Sequence, residues 1–222
     1  MSGPIFWLFE NPPLVAQFIA FAVTAILAFA YHEFAHAIVA DRLGDPTPRS
    51  FGRITPNPFV HLSLSGLVFL FLIGFGWAVT PVNPNRLRGN PRQTMALVAV
   101  AGPLANLLMA ILYALPLRLG IVDFSISGNF LPSPYLLLNM GVWINLLLFT
   151  FNLLPIPPLD GFTILLGLLP PDLAYRLEGV RQYGNMVLLG VLIILPIIGF
   201  NVIGQIVNPV VDQLRMLLIG GG

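Results

Sequence analysis

Five long stretches of this sequence carry no charged side chain, and they constrain the fold more than any other feature. They cover residues 11–31, 54–85, 93–117, 124–159 and 182–211. The hydrocarbon core of a membrane is about 30 Å thick and is crossed by about 20 apolar residues in a helix. Only 9% of the 222 residues are charged and 57% are hydrophobic, which is too apolar for a water-soluble domain of this length. The sequence therefore predicts an all-α polytopic membrane protein.

The uncharged stretches predict about four transmembrane helices in a single domain, residues 1–222. The helices are expected at 14–40, 93–117, 134–154 and 182–211, with a short helix at 161–169 and a polar loop at 124–133. A further C-terminal helix is left open. The catalytic core is expected at about 14–169, followed by a C-terminal helical region at 170–222. Between the first two spans, residues 50–55 predict a short strand or β-hairpin.

The segment at 62–79 can be interpreted as a further span or as a re-entrant loop. If it crosses the membrane, the ten arginines divide five to five between the two sides; if it re-enters, only Arg118 and Arg215 lie opposite the other eight. Cytoplasmic loops carry an excess of basic residues, which favours the re-entrant interpretation. The same count places the end of the first helix on the cytoplasmic side.

A metal-binding pattern, His32-Glu33-Phe34-Ala35-His36, occurs near the end of the first predicted helix. On a helix, His32 and His36 project from one face one turn apart, which suits two ligands of a tetrahedral zinc ion. Glu33 is then expected to act as a base toward a water molecule. A chance match is the alternative, but the chain has only three histidines, and ionisable groups in a membrane-length apolar helix are usually functional.

Asp160 is the best candidate for the third zinc ligand, because it is the only charged residue between Asp123 and Asp172. With no cysteine in the chain, the ligands must be histidines and carboxylates. A helix N-cap is the competing role for Asp160. The prolines at 155, 157 and 158 exclude a regular helix and predict an extended segment that could pair with a substrate strand.

Three signatures together resemble the site-2 protease family of intramembrane zinc metalloproteases. They are His32-Glu33-Phe34-Ala35-His36, Gly102-Pro103-Leu104-Ala105-Asn106, and Asn152-Leu153-Leu154-Pro155-Ile156-Pro157-Pro158-Leu159-Asp160-Gly161. The resemblance implies that His32, His36 and Asp160 bind Zn2+ and that Glu33 is the catalytic base. It also implies that Asn152 lies near the catalytic centre and helps to position the substrate. Asn106 belongs either to the same polar cluster or to an interhelical hydrogen bond.

The resemblance further implies regulated intramembrane proteolysis, in which a peptide bond within or next to a transmembrane segment of another protein is hydrolysed. The partners would be that membrane protein, the lipid bilayer and an accessory or adaptor protein, because the chain resembles the short, minimal bacterial branch without a PDZ or CBS domain. The location would be a bacterial or archaeal cell membrane. The scattered arginines give no basic face for nucleic acid. A non-hydrolytic metal-binding scaffold or carrier is the alternative, and a zinc hydrolase of lipids or small molecules also stays open.

His61 is the third histidine, and it follows the Asn57-Pro58 turn. A fourth protein ligand would occupy the position that a catalytic zinc needs for water. We therefore interpret His61 as an interfacial or hydrogen-bonding residue, with metal binding as the alternative.

Overall fold

The computed structural model describes residues 3–10, 14–74, 76–122 and 130–220 of the chain. Most of the polar loop predicted at 124–133 lies outside these ranges. The described residues form ten α-helices: α1 Val15–Arg42, α2 Thr47–Ser50, α3 Leu64–Ile73, α4 Pro91–Arg118, α5 Pro134–Asn152, α6 Asp160–Leu168, α7 Pro171–Glu178, α8 Gly184–Leu189, α9 Leu195–Ile197 and α10 Asn208–Ile219. Short 3-10 helices lie at Pro4–Phe9, Pro58–Val60, Pro84–Arg86 and Arg181–Tyr183, and π-helical turns at Gly190–Ile194 and Ile203–Val207.

Four helical segments are long and apolar enough to cross a membrane. They are α1, α4, α5 and the run Pro171–Ile197, which includes α7 to α9. Polar side chains define where two of them begin: Asn90 accepts hydrogen bonds from the first turn of α4, and Ser133 accepts one from Leu136 N in α5. The predicted all-helical fold with about four membrane-length helices is confirmed.

Helix α4 lies at the centre of the bundle and packs against α1, α5 and α6. Small side chains let the helices approach closely, and the buried faces are rich in alanine: Ala20, Ala25, Ala28 and Ala37 in α1, and Ala96, Ala99, Ala110 and Ala114 in α4. The Arg88 N–H donates to the Leu43 carbonyl over 2.8 Å, so α4 begins beside the end of α1. Asn106 bonds Asn145 and Tyr113 packs on Gly141, which makes α5 antiparallel to α4 and parallel to α1.

The strand or hairpin predicted at 50–55 is wrong. The chain instead forms the short helix Thr47–Ser50 and then a turn through Gly52, whose φ is +67°. The buried Asp45 carboxylate explains the difference, because its Oδ1 accepts hydrogen bonds from both the backbone N–H and the hydroxyl of Thr47. This local bond competes with extended backbone.

The segment at 62–79, which the sequence predicts to be re-entrant or spanning, contains the short helix α3 and folds back so that its two ends meet. Helix α3 has ten residues, about 15 Å of helix, and ends at Gly74, whose φ is +78°. Leu62 then forms an antiparallel bridge with Ala78. Both ends of the segment therefore lie together, while its placement relative to a membrane stays a prediction.

The C-terminal region is divided near the prolines, as expected for residues that break the helical hydrogen-bond pattern. The fourth long segment ends one residue after Pro196, and α10 begins one residue before Pro209. Leu188, Val207 and Val142 belong to one buried cluster, so this region packs on the bundle. The boundary predicted between a catalytic core and a C-terminal region stays a prediction.

Candidate metal centre

Three potential ligand atoms converge between α1 and the start of α6. His32 Nε2 lies 3.1 Å from His36 Nε2, and Asp160 Oδ2 lies 3.1 Å from the first and 3.3 Å from the second. Ligand atoms about 2.0–2.1 Å from a tetrahedral zinc are separated by about 3.3 Å. The three atoms thus have nearly the spacing of three ligand atoms around a tetrahedral zinc ion.

Each of the two imidazoles makes a hydrogen bond through its Nδ1 atom. This bond determines whether the Nε2 atom faces the centre as a donor or as an acceptor. His36 Nδ1 lies 2.8 Å from the Val98 carbonyl, which can only accept, so His36 donates there. Asn106 uses its amide NH2 for the Ala28 carbonyl and Asn145 Oδ1, so its own Oδ1, 2.6 Å away, accepts from His32 Nδ1. A neutral histidine that donates from Nδ1 presents a lone pair at Nε2.

Two lone pairs and a carboxylate oxygen therefore meet without a donor between them. Asp160 Oδ2 is buried and has no properly oriented hydrogen-bond partner among the described residues, although both imidazoles are near. This donor set fits a cation, and its histidine and carboxylate composition fits Zn2+.

Gly102 borders the centre from α4. A Cβ at this position would overlap His36 Nε2 and lie 2.6 Å from His32 Nε2. Only glycine leaves this side of the ligand atoms free. The close approach that glycine permits here is made to the two imidazoles of α1.

Asn106 links the three-ligand cluster to two neighbouring helices. It is fully buried, bonds His32, and links α4 to α1 and α5 through the Ala28 carbonyl and Asn145. Asn145, equally buried, was missed by sequence reasoning. The available signal was an amide side chain in the middle of the 36-residue uncharged stretch 124–159.

Asp160 reaches the centre through a series of tight turns after α5. Ile156 N–H donates to the Leu154 carbonyl and Leu159 N–H to the Ile156 carbonyl, so the extended segment predicted here is wrong. The Pro157–Pro158 peptide bond is cis. A Cβ on Gly161 would overlap the Leu153 and Leu154 carbonyls, so glycine lets α6 start close against the end of α5.

The other predicted site residues are not members of the three-ligand cluster among the described residues. Glu33 is buried, and its backbone carbonyl accepts from the Thr80 hydroxyl. Asn152 is the last residue of α5, and its amide donates to the Leu148 carbonyl of the same helix. Its contact with a substrate stays a prediction. His61 is buried and bonds the Thr55 carbonyl over 2.8 Å, outside the three-ligand cluster, in agreement with the hydrogen-bonding interpretation.

Comparison with known proteins finds relatives that are named as zinc metalloproteases. The chain is similar to curated relatives named "Putative zinc metalloprotease": it is 36% identical to YwhC of Bacillus subtilis over 88% of the chain and 89% of YwhC. It is 28% identical to Rip2 of Mycolicibacterium smegmatis over 86% of the chain and 75% of that protein. Identity with Rip2 of Mycobacterium tuberculosis strain H37Rv is 32% over 85% of the chain and 74% of that protein. No family model and no solved structure matches the chain.

Proposed function

Because the chain belongs to the site-2 protease family of zinc metalloproteases, we propose that it hydrolyses a peptide bond within or next to a transmembrane segment of another membrane protein. The observation that carries this proposal is the convergence of His32, His36 and Asp160 on the buried face of a membrane-length helix. A metal centre held there is reached most directly by a peptide that also lies in the bilayer. Regulated intramembrane proteolysis is the corresponding biological role.

In this proposal His32, His36 and Asp160 hold Zn2+. When bound, the ion supplies a Lewis acid that polarises the scissile carbonyl and lowers the pKa of water. Glu33 accepts the proton of the attacking water and passes it to the leaving amine nitrogen. Asn106 holds His32 in its donating tautomer, and Gly102 keeps the space beside the ligand atoms open.

We also propose that residues 62–79 enter and leave the membrane on one side and that the metal centre lies nearer the cytoplasm. Three observations support this: α3 is too short to cross by itself, Leu62 pairs with Ala78, and Arg88 bonds Leu43 at the end of α1. A bacterial or archaeal cell membrane is the proposed location. An accessory or adaptor protein is the proposed route by which substrates are selected.

The decisive experiment compares zinc content and cleavage of a model transmembrane substrate in three variants. Glu33→Gln should lower the cleavage rate by at least about a hundredfold and retain one zinc, because a base is lost and the ligands are kept. Asp160→Ala should lose both zinc and cleavage. Glu10→Gln is the matched control, since it removes an exposed carboxylate and should change neither.

Retained cleavage in Glu33→Gln would overturn the assignment of the base. Bound zinc without Glu33-dependent cleavage of any membrane segment would indicate the non-hydrolytic scaffold instead. A protein that purifies folded without zinc would overturn the metal centre itself.

A further inference from the structure

A second site lies at the end of the bundle where α4 and α10 end. It is a cavity of about 290 Å3 lined by Trp7, Asn139, Met140, Trp143 and Arg215. Arg118, the last residue of α4, donates to the carbonyls of Leu217 and Leu218 at the end of α10, which fixes the position of α10 at this end. Asn139 precedes Asn145 of the metal-centre network by six residues, about 9 Å along α5.

Arg215 gives this cavity a positive charge that pairs with no carboxylate within the described part of the chain. Its Nη2 donates to Asn139 Oδ1 over 2.8 Å, while its Nε is buried and has no hydrogen-bond partner among the described residues. It forms no ion pair within the described part of the chain, where Arg49 and Arg181 both pair with carboxylates. A guanidinium suits a phosphate or carboxylate, which can accept two parallel hydrogen bonds.

The rest of the lining is apolar. Two tryptophans and a methionine face the same space as the guanidinium, and tryptophan is typical of the level at which lipid headgroups meet acyl chains. A volume of 290 Å3 equals roughly ten water molecules, enough for a small oxyanion and its first carbon atoms. A longer hydrocarbon tail would have to leave the cavity along the protein surface.

We propose that this cavity binds the anionic headgroup of a membrane amphiphile, with the oxyanion on Arg215 and the first part of the acyl chain on Trp7, Met140 and Trp143. The headgroup would connect two parts of the fold. Trp7 belongs to the N-terminal 3-10 helix, which packs on α1 and α3, whereas Arg215 belongs to α10, which packs on α4 and α5. The site is independent of the metal centre and of the proposed hydrolysis.

The cavity tryptophans supply a local probe for the experiment. The chain has three tryptophans, so both remaining indoles line the cavity in a Trp77→Phe background. The purified protein in neutral detergent is titrated with phosphatidylglycerol carrying brominated acyl chains, which quench tryptophan on contact, and in parallel with brominated phosphatidylcholine. We expect stronger quenching by the anionic lipid, reversed by unbrominated phosphatidylglycerol and unaffected by inorganic phosphate.

Arg215→Gln should weaken the preference for the anionic lipid roughly tenfold, because charge-assisted hydrogen bonds are lost. Arg215→Lys should retain part of it and serves if the glutamine variant does not fold. Arg176→Gln, which removes an exposed arginine of α7, is the charge-matched control and should retain all of it. Equal quenching by both lipids, or an unchanged preference in both Arg215 variants, would overturn the proposal. Competition by inorganic phosphate would show a free-anion site and overturn its amphiphile part.

Discussion

The residues that bond the ligand histidines from behind determine how the ligand atoms of the metal centre are oriented. Val98 and Asn106 accept hydrogen bonds from the two Nδ1 atoms, so both Nε2 lone pairs face Asp160. Such outer partners orient metal-binding histidines and raise their basicity. The Asn106 amide is itself held by Ala28 and Asn145, which leaves it one orientation. The donor set is therefore oriented by the residues packed behind it.

Gly102→Ala tests this organisation, because the added methyl group would overlap both Nε2 atoms. We expect zinc affinity to fall at least about tenfold as the imidazoles are displaced, measured by competition with a chromogenic chelator. Gly190→Ala is the control, since a Cβ there has open space around it. Equal zinc affinity in the two alanine variants would show that the imidazoles can be displaced without cost.

At the scale of elements, Asp45 connects the end of α1 to the segment that leads into α4. Its side chain is fully buried; Oδ1 accepts two hydrogen bonds from Thr47, and Oδ2 accepts one from Asn83 N–H over 2.6 Å. The bond to Asn83 joins residues 38 positions apart. It holds the returning chain against the end of the helix that carries the metal centre.

Asp45→Ala should therefore loosen the junction between α1 and α4. Losing three hydrogen bonds to a carboxylate should cost about 3 kcal/mol or more, which for a chain of this size lowers the Tm by about 6–12 °C. Thermal unfolding in detergent would measure it. Asp172→Ala, at an exposed carboxylate in α7, should leave the Tm nearly unchanged, and a similar Tm in both variants would contradict the assigned role.

Asp45 also shows why some elements could be predicted from the sequence and others could not. Helices α1, α4 and α5 follow from long uncharged runs, a local signal that depends little on the surroundings. The backbone at 47–52 is decided by one buried carboxylate, and the turns at 153–159 by close packing against α5. The pairing of Asn106 with Asn145 is a long-range contact between single amides. Local periodicity carries no information on such contacts.

At the scale of the whole molecule, the parallel α1 and α5 and the antiparallel α4 divide the arginines between two ends. Arg88 lies beside the end of α1, whereas Arg118 and Arg215 lie at the end of α10. If α1 and α4 each cross a membrane, the segment between them must begin and end on one side. The proposed re-entrant position of residues 62–79 therefore depends on the whole bundle and not on that segment alone.

Cysteine labelling tests this arrangement. Because the chain has no cysteine of its own, each introduced cysteine is the single labelling position. Asn85→Cys should react with a membrane-impermeant maleimide only from the cytoplasmic side, and Gly120→Cys, just after α4, only from the opposite side. The second variant is the internal control for intact membranes. Labelling of Asn85→Cys only from the extracytoplasmic side would contradict the proposed re-entrant position.

The metal centre takes two ligands from α1 and the third from a turn after α5. Asp160 follows His36 by 124 residues, and at translation rates of about 5–20 residues per second the ribosome needs roughly 6 to 25 s to reach it. During that interval the nascent chain offers only two of the three proposed ligands, His32 and His36, too few for a catalytic zinc. Under the proposed function, a newly inserted copy would therefore be inert until Asp160 is made, and the order of synthesis would protect neighbouring chains from premature cleavage.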